Sequence, residues 1–248
     1  MRNTFLRYWY QSKKISYPIN WENILLKYSV YYQGLNTELR KKFLQRVYVN
    51  LKIKQFVPVR FSKVTEEMSI LICSALVQIT FGMREYTFNK FDKIYVMPSM
   101  YNYLNYQNLL GHVDMDAQVI CLSWPSVKDG FIIPDDAMNV ALHEMAHAIM
   151  EEDRFRMMGF RFFSDANLHD WSKEAYDKLL MIQAGTPLIL NSYGGRNMLE
   201  MFAVCMETFF EKPEEFKLEL PLLYMTMSSL LKQDPLKKSN PILKSNTN

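Results

Sequence analysis

The chain has 248 residues, 49% hydrophobic and 22% charged, which is enough apolar material for one large domain and too much for a disordered chain. Its formal net charge is only +3, with basic residues scattered among acidic ones, which excludes the dense basic stripe of a nucleic-acid binder. Three cysteines, Cys73, Cys121 and Cys205, lie apart in apolar runs without a CxxC pair, and no apolar stretch reaches 18 residues, so the expectation is a cytoplasmic chain with core thiols and no membrane segment.

The first elements in chain order are helical. FLRYWY, near the start, suggests either a membrane-surface contact or a helix packing its aromatics inward. NTELRKKFLQRVYVNL begins with a cap at Asn36 or Thr37 and places Leu39, Phe43, Val47 and Leu51 on one face. TEEMSILICSALVQITFGM is apolar nearly all round, as a buried helix is. Two β-rich runs follow, DKIYVMP at 92–98 and AQVICLSW at 117–124, the pieces of a small sheet.

SWPSVKDGFIIPDD is turn-rich and leads into DDAMNVALHEMAHAIMEEDRFRMM, a helix capped by Asp135 or Asp136 and uninterrupted until Gly159. A loose FFSDANLHD, a short helix WSKEAYDKLLMI and a turn-bearing QAGTPLILNSYGGR come next. The last strong helix runs from Asn197 to about Glu211. The tail from Pro235 is polar and expected to fray.

HEMAH, at 143–147, carries two of the four histidines. Residues four apart stack on one helix face, so His143 and His147 can offer two imidazole nitrogens to one zinc ion while Glu144 lies beside it as a base for an activated water. The pattern HExxHxxGxxH fails, because Met150 and Asp153 stand where Gly and His are needed. His112 and His169 read as solvated loop side chains. That leaves the carboxylate stripe Glu200, Glu207 and Glu211 for the third ligand. Glu200 is slightly favoured because Ala203 and Val204 make its surroundings apolar, although Asn197-x-x-Glu200 also has capping-box spacing.

SWPSVKDG, NVALHEMAHAIM, SYGGRNMLEMFAVCMETFFEKPEEF and a late KQDPL together resemble the MtfA family of zinc-dependent peptidases, which is similar in turn to the catalytic domain of anthrax lethal factor. The resemblance spans roughly 117–235. It implies that Glu200, opening the E-x-F-A segment, is the third zinc ligand, and that Tyr193, seven residues before it, donates a hydrogen bond to the oxyanion. It implies an α+β fold: a mainly helical, zincin-like metallopeptidase with a small sheet beside the HExxH helix. Residues 1–234 are expected to form a single metallopeptidase domain, with a helical half over about 1–90, a catalytic half over about 91–234 and a polar tail at 235–248.

The implied activity is gluzincin-type hydrolysis of a peptide or protein substrate, possessing aminopeptidase-like character, with one Zn2+ per chain. Some members also contact a transcriptional repressor, which supplies the rival expectation of a regulatory protein-binding module with little catalysis. Extended substrates of such enzymes lie along the edge strand beside the metal helix, and AQVICLSW is the candidate edge.

Overall fold

The computed structural model describes Leu6, Tyr10, residues 18–156 and residues 160–243. After two short helices, α1 (Ile19–Tyr28) and α2 (Val30–Gly34), Asn36 accepts a hydrogen bond from the Leu39 amide at 3.0 Å and starts α3 (Thr37–Ile53). Phe43 and Val47 of the expected stripe are fully buried, while Leu39 and Leu51 pack at its edge. Thr65 caps α4 (Glu66–Thr80), which is buried continuously from Ile70 to its end. Arg46 ties the two helices together by donating to the carbonyls of Thr80, Phe81 and Met83, which satisfies acceptors that a helix end leaves free. Of FLRYWY, Leu6 and Tyr10 pack inward against Val49, Ile53 and Tyr86, and the other four positions lie outside the described residues.

The sheet has four strands in the order β1 (Gln55–Pro58), β2 (Lys93–Met97), β6 (Val119–Ser123) and β5 (Gly111–Asp114). The first three run parallel, and β5 is antiparallel to β6. A separate hairpin pairs β3 (Tyr101–Tyr103) with β4 (Tyr106–Leu109). AQVICLSW is therefore an interior strand, hydrogen-bonded on both sides and buried at all five strand positions, and it is not the edge. The edge on that side is β5, whose four residues GHVD are too short to show a period.

SWPSVKDG is a helix, α5 (Trp124–Ile132), because Pro125 suits a first helical turn, where its missing N–H is not needed. The HEMAH helix, α6 (Val140–Arg154), is capped by Asn139; Asp136 instead accepts the Met138 amide, and Asp135 makes no cap. The helix stops at Arg154 rather than continuing toward Gly159, a position outside the described residues. FFSDANLHD is not loose. Ser164 caps α7 (Asp165–Gln183), which takes in most of that segment together with WSKEAYDKLLMI. A short 3₁₀ turn (Ser192–Gly195) leads to α8 (Met198–Glu211), followed by α9 (Pro213–Glu219) and α10 (Pro221–Leu231).

The expected fraying does not hold through Leu243. Asp234 donates to the Pro241 carbonyl, Leu243 to Lys232, and the Ser239 carbonyl accepts from Asn36, so this segment is tied to the helical half. The architecture is α+β, mainly helical with a small mixed sheet. Among the described residues, no helix is long and apolar enough to cross a membrane.

Candidate metal centre and cleft

α6 and α8 pack against one another with apolar faces supplied by Ala141, Met145, Ala148, Met201, Ala203 and Met206, all fully buried. On the rim of that contact the two helices turn polar toward each other. Asn139 organises the junction: its side chain caps α6 and donates to the Gly130 carbonyl and to Glu211, while its backbone N–H donates to Glu207 at 2.8 Å. The first turn of the HEMAH helix is thus fixed to α5 and α8 before any histidine is considered.

His143 Nε2 lies 3.2 Å from Glu200 Oε2, and His147 Nε2 lies 3.3 Å from the same oxygen. Two imidazoles and one carboxylate are the donor set of an open zinc site, and atoms bound to one ion at about 2.0–2.1 Å in tetrahedral array stand about 3.3 Å apart. The side chains of His143, His147 and Glu200 offer ligand atoms all within 4.8 Å of one another, so the residues fit a metal ion. Charge points the same way. Glu200 lies below the usual carboxylate range, because hydrogen bonds from both imidazoles outweigh the effect of burial, and burial of His143 is likewise outweighed by Glu200 and Glu207, which raise it.

Glu207 sits one step behind. Its Oε2 is 3.1 Å from His143 Nδ1, on the far side of the ring from Glu200, and its other oxygen holds the Asn139 amide. Spacing along α8 treated the two glutamates as rivals for one role, whereas the fold gives them adjacent ones. Glu200 does not close a capping box: Asn197 accepts from the Glu200 amide, but the Glu200 carboxylate turns to the histidines. Asn139 and the orienting contact of Glu207 escaped the sequence reading, since neither leaves a signal beyond a polar residue near a helix end.

Glu144 is buried, with Oε2 lacking a hydrogen-bond partner among the described residues, and burial pushes its carboxyl up to about 7. It opens on a cleft of about 500 Å³ bounded by Leu110, Gly111, Met138, His143 and Tyr193. Tyr193, on the 3₁₀ turn, is 39% exposed, with its ring centroid 6.0 Å from that of His143 and the Arg196 guanidinium 4.1 Å over its face. Of the five expected site residues, His143, Glu144 and Tyr193 line this cleft, while His147 and Glu200 cluster with His143 at its edge. His112 and His169 do not join them. His112 lies within β5, stacked 4.4 Å from the Tyr103 ring, and His169 is exposed on α7, so neither is a loop residue.

Residues 5–232 match the family described as glucose-regulated metallo-peptidase M90. The chain is 25% identical over 237 residues to an uncharacterized protein of Synechocystis sp., an alignment covering 88% of this chain and 86% of that one. It is 28% identical over 125 residues to Mlc titration factor A of Escherichia coli, and to that of Shigella flexneri, covering 48% of this chain and 46% of each relative. The alignment thus spans about half the length of those two relatives.

Proposed function

Because the chain belongs to the glucose-regulated metallo-peptidase M90 family, we propose that it is a zinc-dependent peptidase of the gluzincin type, with His143, His147 and Glu200 as ligands, Glu144 as base and Tyr193 as oxyanion donor. The observation that carries this reading is the convergence of both Nε2 atoms on Glu200 Oε2 beside a buried glutamate at the mouth of a cleft. When bound, zinc would polarise the scissile carbonyl and make a water molecule more acidic.

This chain's residues do the rest. Glu144, whose buried Oε2 has no hydrogen-bond partner among the described residues, takes the proton of the attacking water and returns it to the departing amine as the C–N bond breaks. Tyr193 directs its hydroxyl to the carbonyl oxygen as negative charge develops there. Glu207 holds His143 so that Nε2 faces the ligand site. The substrate is a peptide or protein segment in extended form. It adds to β5, which has no strand neighbour on its outer side among the described residues.

We assign residues 1–234 to one catalytic unit, supported by the pairing of β1, from the helical half, with β2. The three free, buried thiols support a reducing, cytoplasmic setting. Aminopeptidase character is tested by comparing peptides with free and acetylated amino termini. A second reading, a protein-binding module, draws on the name of the relatives called Mlc titration factor A. A base-like Glu144 whose Oε2 has no hydrogen-bond partner among the described residues favours catalysis, because a structural metal site takes four protein ligands and has no use for it. The deciding assay is peptide hydrolysis by wild type and Glu144→Gln, with chelator added and zinc restored. Hydrolysis that needs both the metal and Glu144 upholds the peptidase reading, and hydrolysis by neither protein transfers the assignment to the binding module.

A further inference from the structure

Gly111 opens the edge strand β5, on the side of the sheet that faces α6. Its backbone does not adopt the left-handed conformation that calls for glycine, so what glycine provides here is space. A Cβ at 111 would lie 2.6 Å from Glu144 Cγ, 2.9 Å from Glu144 Oε1 and 2.8 Å from Val140 Cγ2. Optimal carbon contacts lie at about 3.5–4.0 Å, so the two carbon contacts are deep in the repulsive range, and the contact to Oε1 is also closer than a Cβ ordinarily comes. Val140 and Glu144 are one helical turn apart on the same face, which means the whole turn rests directly on the strand backbone.

Glu144 has little room to step aside, because it is buried on the helix that also carries His143 and His147. Relief lies outward, into the cleft that Gly111, His143 and Glu144 line together. We propose that Gly111 is a positioning residue: the missing side chain leaves the slot in which the Glu144 carboxylate is held against the edge strand and aimed into the cleft. The inference rests on the peptidase reading of Glu144. It explains how the strand that receives the peptide and the base that serves its hydrolysis come into direct contact, which any larger residue at 111 would prevent.

The test has a kinetic arm and a stability arm. Gly111→Ala is expected to retain zinc at the wild-type level and to keep KM within about threefold, while kcat falls about 100-fold, the loss typical of a misplaced catalytic group. The stability arm is a double-mutant cycle in a Val140→Ala background, which removes the second contact. Gly111→Ala should lower Tm when Glu144 is present and much less when Glu144 is replaced by Ala. Full activity in Gly111→Ala, loss of zinc from it, or equal Tm losses with and without the Glu144 side chain would overturn the proposal. Should wild type hydrolyse no peptide, the peptidase reading fails, yet the cycle still decides whether position 111 shapes the slot around Glu144.

Discussion

The two imidazoles of HEMAH are held by two glutamates of α8 that act differently. Glu200 shares one oxygen with both Nε2 atoms, and Glu207 grips His143 from behind at Nδ1. Glu207→Gln preserves an acceptor for the Asn139 amide but removes the charge beside His143. It is expected to weaken zinc binding about 10–100-fold without abolishing it, read by competition with a chelating dye. An unchanged affinity would remove Glu207 from the metal's support.

Farther along α6, three acids, Glu151, Glu152 and Asp153, crowd a helix C-terminus, where the macrodipole disfavours negative charge. They are tolerated because they are partnered. Glu152 accepts from the Asn89 and Lys90 amides and faces Arg156, while Asp153 accepts from the Phe162 and Phe163 amides. Glu152→Gln leaves buried Arg156 with less counter-charge and should lower unfolding free energy by about 3 kcal/mol in urea titration. A loss under about 1 kcal/mol would show that the cluster is incidental. At this scale HExxH was legible because four-residue spacing guarantees a shared face. Glu200 and Glu207 stand two turns apart on one stripe, so spacing alone left them nearly equal, and only the approach of α6 separates them.

Strands were the hardest elements to read. β1 and β5 have four residues each, QFVP and GHVD, too few to establish alternation, whereas DKIYVMP and AQVICLSW carried β-branched runs long enough to stand out. The most apolar strand proved to be interior because it is buried on both faces, and the edge went to a short, mixed strand. The polar start of α7 hid its helix, since SDANLHD reads as loop until Ser164 is recognised as a cap. Because the edge is β5 and not AQVICLSW, a proline test of peptide docking belongs in β5. The Ser123 amide donates to the Leu110 carbonyl, and the alternation of an antiparallel ladder then turns the N–H groups of Gly111 and Val113 away from β6. Val113→Pro should reduce kcat/KM at least about tenfold with a small loss of Tm, whereas Ile120→Pro in β6 should prevent folding. Parallel losses of activity and Tm in Val113→Pro would show that β5 carries no substrate.

On the scale of the whole molecule, the segments before and after residue 90 share one sheet and one set of buried polar ties. Lys54, at the end of α3, is buried and donates to the carbonyls of Phe88 and Phe91 at 3.0 and 2.7 Å on the approach to β2. Burial pulls its pKa down from 10.5 to about 8, against the raising effect of Asp92 and Glu152. The unfolded chain therefore binds a proton that the folded one lacks between those values, so this group's contribution to stability rises with pH across that window, by about 3 kcal/mol in all. Wild type should gain on Lys54→Met as pH goes from 8 to 10.5 in denaturant titrations, and a constant difference would mean that Lys54 titrates normally. This tie was not legible in the sequence, because a buried lysine and a strand of four residues resemble surface features until the chain is folded.

The central claim is that His143, His147 and Glu200 hold a zinc ion that Glu144 serves without binding. The most direct measurement is metal content by plasma emission spectrometry on protein purified without chelator, with peptide hydrolysis assayed on the same samples, for wild type, Glu200→Ala, Glu207→Ala and Glu144→Ala. The expected result is about one zinc in wild type, loss of it in Glu200→Ala, partial retention in Glu207→Ala, and full zinc without hydrolysis in Glu144→Ala. Zinc retained in Glu200→Ala, or hydrolysis that survives Glu144→Ala, would contradict the account.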